Sequence, residues 1–177
     1  GLRSAREIIA DLCDDGSFIE YGALAIAAQR QRRSLEDLRA ATPADGLVCG
    51  IGSVNGAIHG PERSRTAVLA YDATVLAGTQ GARNHAKTDR LLALAHAQRL
   101  PVVLFAEGGG GRPGDTDVPI VAGLHVPTFA ALARLSGLSA ADAATRSRKT
   151  LERVRLAEAD FTKKPFGSYS KGMRQKV

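Results

Sequence analysis

The chain has 177 residues and a mass of 18.6 kDa, with 24 Lys and Arg against 18 Asp and Glu, a net charge of +6. A hydrophobic fraction of 44% with 24% charged residues excludes wholesale disorder, and no apolar run approaches the ~18–20 residues of a membrane-spanning helix. Cys13 and Cys49 are far apart and form no C-x-x-C, so neither a disulfide framework nor a cysteine zinc site is expected, and a reduced, cytoplasmic protein without a secretory leader is the expectation.

In chain order, Leu2, Ile8, Ile9 and Leu12 predict a short amphipathic helix over 2–12, stopped by Asp14-Asp15-Gly16. Ser17–Tyr21 reads as a brief extended piece, and the arginine-rich stretch from Gln29 to Ala41 as an exposed loop or helix. Leu47–Val54, Asn55-Gly56 and Ala57–His59 predict a β-hairpin, because Asn-Gly supplies the positive φ angles of a tight turn. Ala67–Tyr71 is the next strand and Gly81–Arg99 a helix with Leu91, Leu92, Leu94 and Ala95 near one face. Pro101 opens Val102–Phe105, a short apolar run expected to be a strand covered on both faces. A glycine-rich loop, Glu107–Asp117, leads to a helix over about 128–138, and the tail reads as a helix over 140–156, a loop through 165–167 and a further helix after Ser168.

Gly108–Gly111 followed by Arg112-Pro113-Gly114-Asp115 is the most unusual stretch. Residues 109–114 satisfy G-x-G-x-x-G formally, but Pro113-Gly114-Asp115 breaks the helix that such a motif must open. No Asp or Glu follows between 118 and 141 to hold a ribose, so a dinucleotide fold is excluded. Two readings remain. Consecutive glycines after a strand can present backbone N–H groups to a developing enolate or other oxyanion, or they can form a plain flexible surface loop. His85 and Asp89, four apart on a helix, read as a solvated pair rather than metal ligands, and no metal is expected. His59 and His125 read as structural or exposed residues, and Arg30, Arg32 and Arg33 as a solvated loop, with CoA phosphates as the alternative contact.

Asp72–Gly81, Asn84–Arg90, Leu100–Glu107 running into Gly108–Asp117, and the opening segment Asp45–Gly56 resemble the carboxyltransferase component of biotin-dependent acyl-CoA carboxylases, over residues 1–138 and in the family's order. That resemblance implies an α/β fold, a crotonase-like ββα superhelix that is incomplete here and is followed by an α-helical C-terminal tail. It implies transfer of a carboxyl group from carboxybiotin, carried on a partner domain, to the α-carbon of acetyl- or propionyl-CoA. The backbone N–H groups of Gly110 and Gly111 would hold the thioester enolate, with Gly78, Thr79, Gly81, Gly108, Gly109 and Arg112 shaping the acyl-CoA cleft. Many family members have Ser-Gly-Gly-Ala where Gly108–Gly111 stand and Gly-Gly where Ala77-Gly78 stand; backbone donors survive the first change. The implied partners are acyl-CoA, a biotin carboxyl carrier domain or biotin carboxylase component, and further copies of the same chain.

Residues 1–138 hold 14 basic and 14 acidic side chains, whereas 139–177 hold 10 and 4, so the tail carries the whole excess charge. This step gives no reason to expect nucleic acid. Leu151–Glu158 and Gly167–Val177 resemble the helical subdomain and signature segment of ABC transporter ATPases, which implies a role for Ser170 and Gly172 beside an ATP γ-phosphate. No G-x-x-x-x-G-K-[ST] stands anywhere in the sequence, so ATP hydrolysis by this chain alone is not expected. The sequence therefore reads as a partial carboxyltransferase domain, 1–138, joined to a helical ABC-type fragment, 139–177. The alternatives for function are a nucleotide-binding or interaction module in the tail and an inactive chimeric product.

Overall fold

A computed structural model describes residues 3–118, 126–137, 139, 142 and 145. The chain divides into two compact units, Gly1–Leu132 and Ala133–Val177.

The first unit begins with α1 (Ala5–Leu12), whose start is fixed by a reciprocal cap: the Glu7 N–H donates to Ser4 Oγ (3.4 Å) and the Ser4 N–H to Glu7 Oε2 (2.7 Å). Its buried face, Ala5 and Ile9, packs on Val48, Val68 and Ala70 of a four-stranded sheet. The sheet has the order β1 (Ile19–Glu20), β2 (Leu47–Ser53), β3 (Arg65–Tyr71) and β4 (Val102–Phe105). The first two pairings are antiparallel, with Leu47 opposite Tyr71, and the last is parallel, with Ala67 opposite Val102. Between β1 and β2 lies α2 (Leu35–Ala41), capped by Ser34, so the arginine-rich stretch is partly helical as expected. Two short helical turns, α3 (Gly56–His59) and α4 (Pro61–Ser64), lie between β2 and β3. The long helix α5 (Ala82–Gln98) joins β3 to β4 and buries Leu91, Leu92 and Ala95. The last described helix is α6 (Val126–Leu135).

Two expectations are corrected. The Asn55-Gly56 hairpin does not form: Asn55 adopts the left-handed conformation (φ 55°, ψ 42°), but the chain then enters α3 and α4. Ala57–His59 is thus helical, and β2 pairs with β3 across an eleven-residue connection. The local reason is Asp14, whose Oδ2 accepts from the Gly56 N–H (2.8 Å) and the Ser53 hydroxyl (2.5 Å), holding the end of β2 to the α1 side. These donors keep the Asp14 carboxyl below its ordinary range. The depressed value means that this anchor is fully present above the unfolded carboxyl pKa and is lost as pH falls through the folded one. The protection of the Gly56 amide, its exchange rate divided into the intrinsic rate at each pH, is expected to fall on acidification below about pH 4, more than it does in Asp14→Asn; equal pH profiles of protection would refute the anchor.

The second correction concerns Val102–Phe105. It forms a strand, the last in the sheet among the described residues, but it is not covered on both faces: Val102, Val103 and Phe105 are half-buried and Leu104 is 38% exposed. Pro101 and four apolar residues establish extended backbone; they do not establish that both faces are covered.

In the second unit, Ser136 Oγ donates to the Ala133 carbonyl (2.7 Å) and Ser139 Oγ to Asp142 (2.6 Å). The segments expected at 165–167 and after Ser168 lie outside the described residues, as does all of the 140–156 helix apart from Asp142 and Thr145. Among the described residues, no helix is long and apolar enough to cross a membrane.

Candidate functional site

The glycine-rich loop leaves β4 at Phe105 and lies against the segment that follows β3. That segment turns sharply: Leu76, Ala77 and Gly78 all take positive φ (47°, 55° and 68°). The two stretches are zipped together by the Gly109 N–H on the Gly78 carbonyl (2.9 Å), the Gln80 N–H on the Gly110 carbonyl (2.7 Å) and the Arg112 N–H on the Gln80 carbonyl (2.8 Å). The N–H groups of Gly110 and Gly111 take no part in this ladder, and both residues are exposed. Backbone approach is so close that glycine is required. A Cβ on Gly78 would lie 2.6 Å from the Glu107 carbonyl oxygen, and one on Gly109 would lie 2.4 Å from that of Ala77. Gly110, at φ 82°, has nothing within 4 Å of its would-be Cβ and faces open space.

Beneath the loop sits a buried ionic network. Arg112 is 3% exposed and Asp45 and Asp115 are fully enclosed. The Arg112 guanidinium pairs with the Asp45 carboxylate, lies 3.5 Å from Asp115, and donates to Thr79 Oγ1 (3.1 Å) and the Thr79 carbonyl (2.5 Å). The same two carboxylates bind the first turn of α5: Asp115 Oδ2 accepts from the Ala82 N–H (2.9 Å) and Asp45 Oδ2 from the Asn84 N–H (2.8 Å). This satisfies helix-end donors and sets negative charge at the positive end of the helix dipole. Burial pushes the Asp45 carboxyl up despite the guanidinium beside it, so desolvation outweighs the ion pair there.

Arg112, expected to shape the acyl-CoA cleft, has an enclosed side chain bound to Asp45, Asp115 and Thr79. Gly81 belongs with the same network, since a Cβ there would stand 2.3 Å from Asp115 Oδ2 and 2.5 Å from Arg112 Nη1. Gly78, Thr79, Gly108, Gly109, Gly110 and Gly111 do come together along the two zipped stretches. Asp45 and Asp115 were missed as supporting residues. The signal for them is non-local: each acidic residue stands beside a glycine turn, and their shared partner lies 67 residues from one of them.

The other side chains sort plainly. His85 is buried, not solvated, and Asp89 accepts from the Thr128 hydroxyl, which ties α5 to α6. Among the described residues, no group of three or more His, Cys, Asp or Glu is placed to hold a metal. Arg30, Arg32 and Arg33 are exposed, and the turn that carries them is clamped by Asp117, which accepts from the Arg30 and Gln31 N–H groups at 2.8 and 3.1 Å. His59 is exposed, at the end of α3, while His125, Ser170 and Gly172 lie outside the described residues.

The four-glycine loop and the segment after β3 are thus packed together over a buried ionic network, within an α/β layer of strands and helices. The chain belongs to the carboxyl transferase domain family, whose model matches residues 1–137. It is 36% identical over 115 residues to the biotin-dependent long chain acyl-coenzyme A carboxylase beta4 subunit of Mycobacterium tuberculosis, covering 65% of this chain and 19% of that one. It is 34% identical to the propionyl-CoA carboxylase beta chain of Saccharopolyspora erythraea, over 63% of this chain and 19% of that one. Among solved structures, a single-chain, multi-domain long-chain acyl-CoA carboxylase matches with a TM-score of 0.69 and 67% identity, over 75% of this chain and 13% of the other. The transcarboxylase 12S structure with methylmalonyl-coenzyme A and methylmalonic acid bound matches with a TM-score of 0.58 and 29% identity, over 77% of this chain and 24% of the other. The chain thus spans about a fifth of the length of the curated relatives it matches. The family match stops at residue 137, and the comparisons lend no support to the ABC-type reading of the tail.

Proposed function

We propose that this chain supplies the acyl-CoA half of a carboxyltransferase site, with the crotonase-like arrangement of that family. The observation that carries this reading is the unequal use of the loop's donors. The Gly109 and Arg112 N–H groups fasten the loop, while those of Gly110 and Gly111 are left outside the ladder on an exposed tip. Two neighbouring N–H donors on a fixed backbone can take the oxygen of a thioester as it gains enolate charge, without any side chain changing protonation state. Gly78, Thr79, Gly108 and Gly109 then form the wall of the acyl-CoA cleft, and Arg112, Asp45 and Asp115 keep the wall in place.

The carboxyl group to be transferred would come from carboxybiotin on a partner domain, supplied by a biotin carboxylase component and its carrier. Among the described residues, only the enolate side of that reaction has candidate groups, and the relatives are named as subunits, which supports assembly with partner subunits. Acetyl- or propionyl-CoA is the proposed substrate class.

Isothermal titration with an acyl-CoA analogue bearing an anionic oxygen in place of the thioester carbonyl tests the assignment. Gly111→Pro, which deletes one N–H, is expected to weaken the analogue at least ~10-fold while leaving the unreactive acyl-CoA little changed. Equal losses for both ligands would reduce the loop to a general binding surface. No binding of either ligand by the parent chain would remove the proposal.

A further inference from the structure

Away from the glycine loop, α5 and the β1–β2 pair border an open cleft of about 710 Å³, lined by Tyr21, Gly22, Cys49, Lys87, Arg90, Leu91 and Leu94. Its size lies within the range of small-molecule sites. The four α5 residues recur at spacings of three, one and three, so they share one helical face. That face has two halves: Lys87 and Arg90 carry positive charge, and Leu91 and Leu94 are apolar.

Lys87 is the unusual member. Its Nζ donates to the carbonyl oxygens of Ala44 (2.9 Å) and Leu47 (2.5 Å), and its stem passes Gly22, where a Cβ would come within 3.0 Å of Cε. An ammonium has three N–H donors, and two backbone carbonyls use two of them without cancelling the charge. Among the described residues, neither Lys87 nor Arg90 forms an ion pair; Glu20, the nearby acid, is bound through both oxygens to Arg6. Burial accordingly holds the Lys87 amine below its ordinary range. A half-buried cation with one donor to spare, a second cation one turn along and an apolar wall beyond them form a complementary surface for an amphiphile. Cys49 contributes shape only: its thiol is buried and pushed up to about 11, which keeps it protonated and unreactive near neutral pH.

We infer that this cleft binds an aliphatic chain with an anionic head, the head on Lys87 and Arg90 and the chain along Leu91 and Leu94. The site is separate from the glycine loop, and its occupation does not depend on the carboxyltransferase reading.

The full chain, labelled with nitrogen-15, should be titrated with octanoate, octyl phosphate and octanol while amide shifts are followed. Saturable shifts confined to residues 21–22, 49 and 87–94 are expected with at least one of the two anions, and the anion that binds identifies the head group. Octanol should bind about tenfold more weakly or not at all, and Arg90→Gln should weaken the anion about tenfold without unfolding an exposed helix position. Lys87→Met should weaken it further; if that variant fails to fold, Arg90→Gln and octanol decide the matter. Octanol binding as well as both anions, Arg90→Gln binding like the parent, or shifts lying elsewhere would each overturn the site.

Discussion

Replacing Arg112 with methionine is expected to cost this protein about 3–5 kcal/mol of stability. The substitution keeps much of the side chain's apolar bulk and removes the guanidinium, leaving Asp45 and Asp115 enclosed with no cation between them. The burial that already raises the Asp45 carboxyl would then act unopposed by Arg112. Asp45 would take up a proton in the folded state, so the variant should lose stability as pH rises from about 4, where an unfolded aspartate ionises. Arg112→Lys should recover only part of the loss, because an ammonium cannot reproduce the planar fork that reaches both Asp45 and Thr79. Urea titrations at several pH values measure both effects, and a methionine variant as stable as the parent across that range would contradict the network's role.

The second large effect belongs to the glycines, and it separates three positions that look alike in the sequence. Gly109→Ala and Gly78→Ala place a Cβ 2.4 and 2.6 Å from backbone oxygens that cannot move without breaking the ladder, and Gly78 adds the strain of φ 68°. Each is expected to cost more than ~2 kcal/mol locally and to unzip the two stretches. Gly110→Ala meets nothing within 4 Å and carries only the penalty of its left-handed backbone, about 1–2 kcal/mol. Hydrogen exchange at the Gln80 and Arg112 amides reads the result directly, since both donate across the ladder. Fast exchange in Gly78→Ala and Gly109→Ala with slow exchange in Gly110→Ala is the expected pattern. Equal protection in all three would mean that the loops are not packed as described.

These contrasts show what the amino-acid order discloses. Helix α1 is legible because its apolar spacing and its stop at Asp14-Asp15-Gly16 are local; the apolar spacing of α5 and the extended character of β2, β3 and β4 are local too, although the first turn of α5 is held by Asp45 and Asp115 from distant segments. The Asn55-Gly56 turn is misleading because Asp14, more than forty residues upstream, takes the Gly56 N–H and directs the chain into helical turns instead. The loop's glycines are legible as a motif, but the division of labour among them depends on carbonyls of Ala77 and Gly78 some thirty residues away. Arg112 illustrates the same limit from the opposite side. A charged residue beside a glycine run invites a ligand-binding role, whereas its actual neighbours are two acids brought together only by the fold.

The ionic base under the glycine loop also imposes an order of assembly. Its contacts close chain segments of 33, 39 and 67 residues, and two of them fall on the first turn of α5. Closing such loops loses chain entropy before any contact is gained. The exposed Gly110–Gly111 tip is therefore expected to reach its final position late in folding, after β2, β3 and α5 have met. By the same logic it can come undone as a local unit while the sheet stays intact.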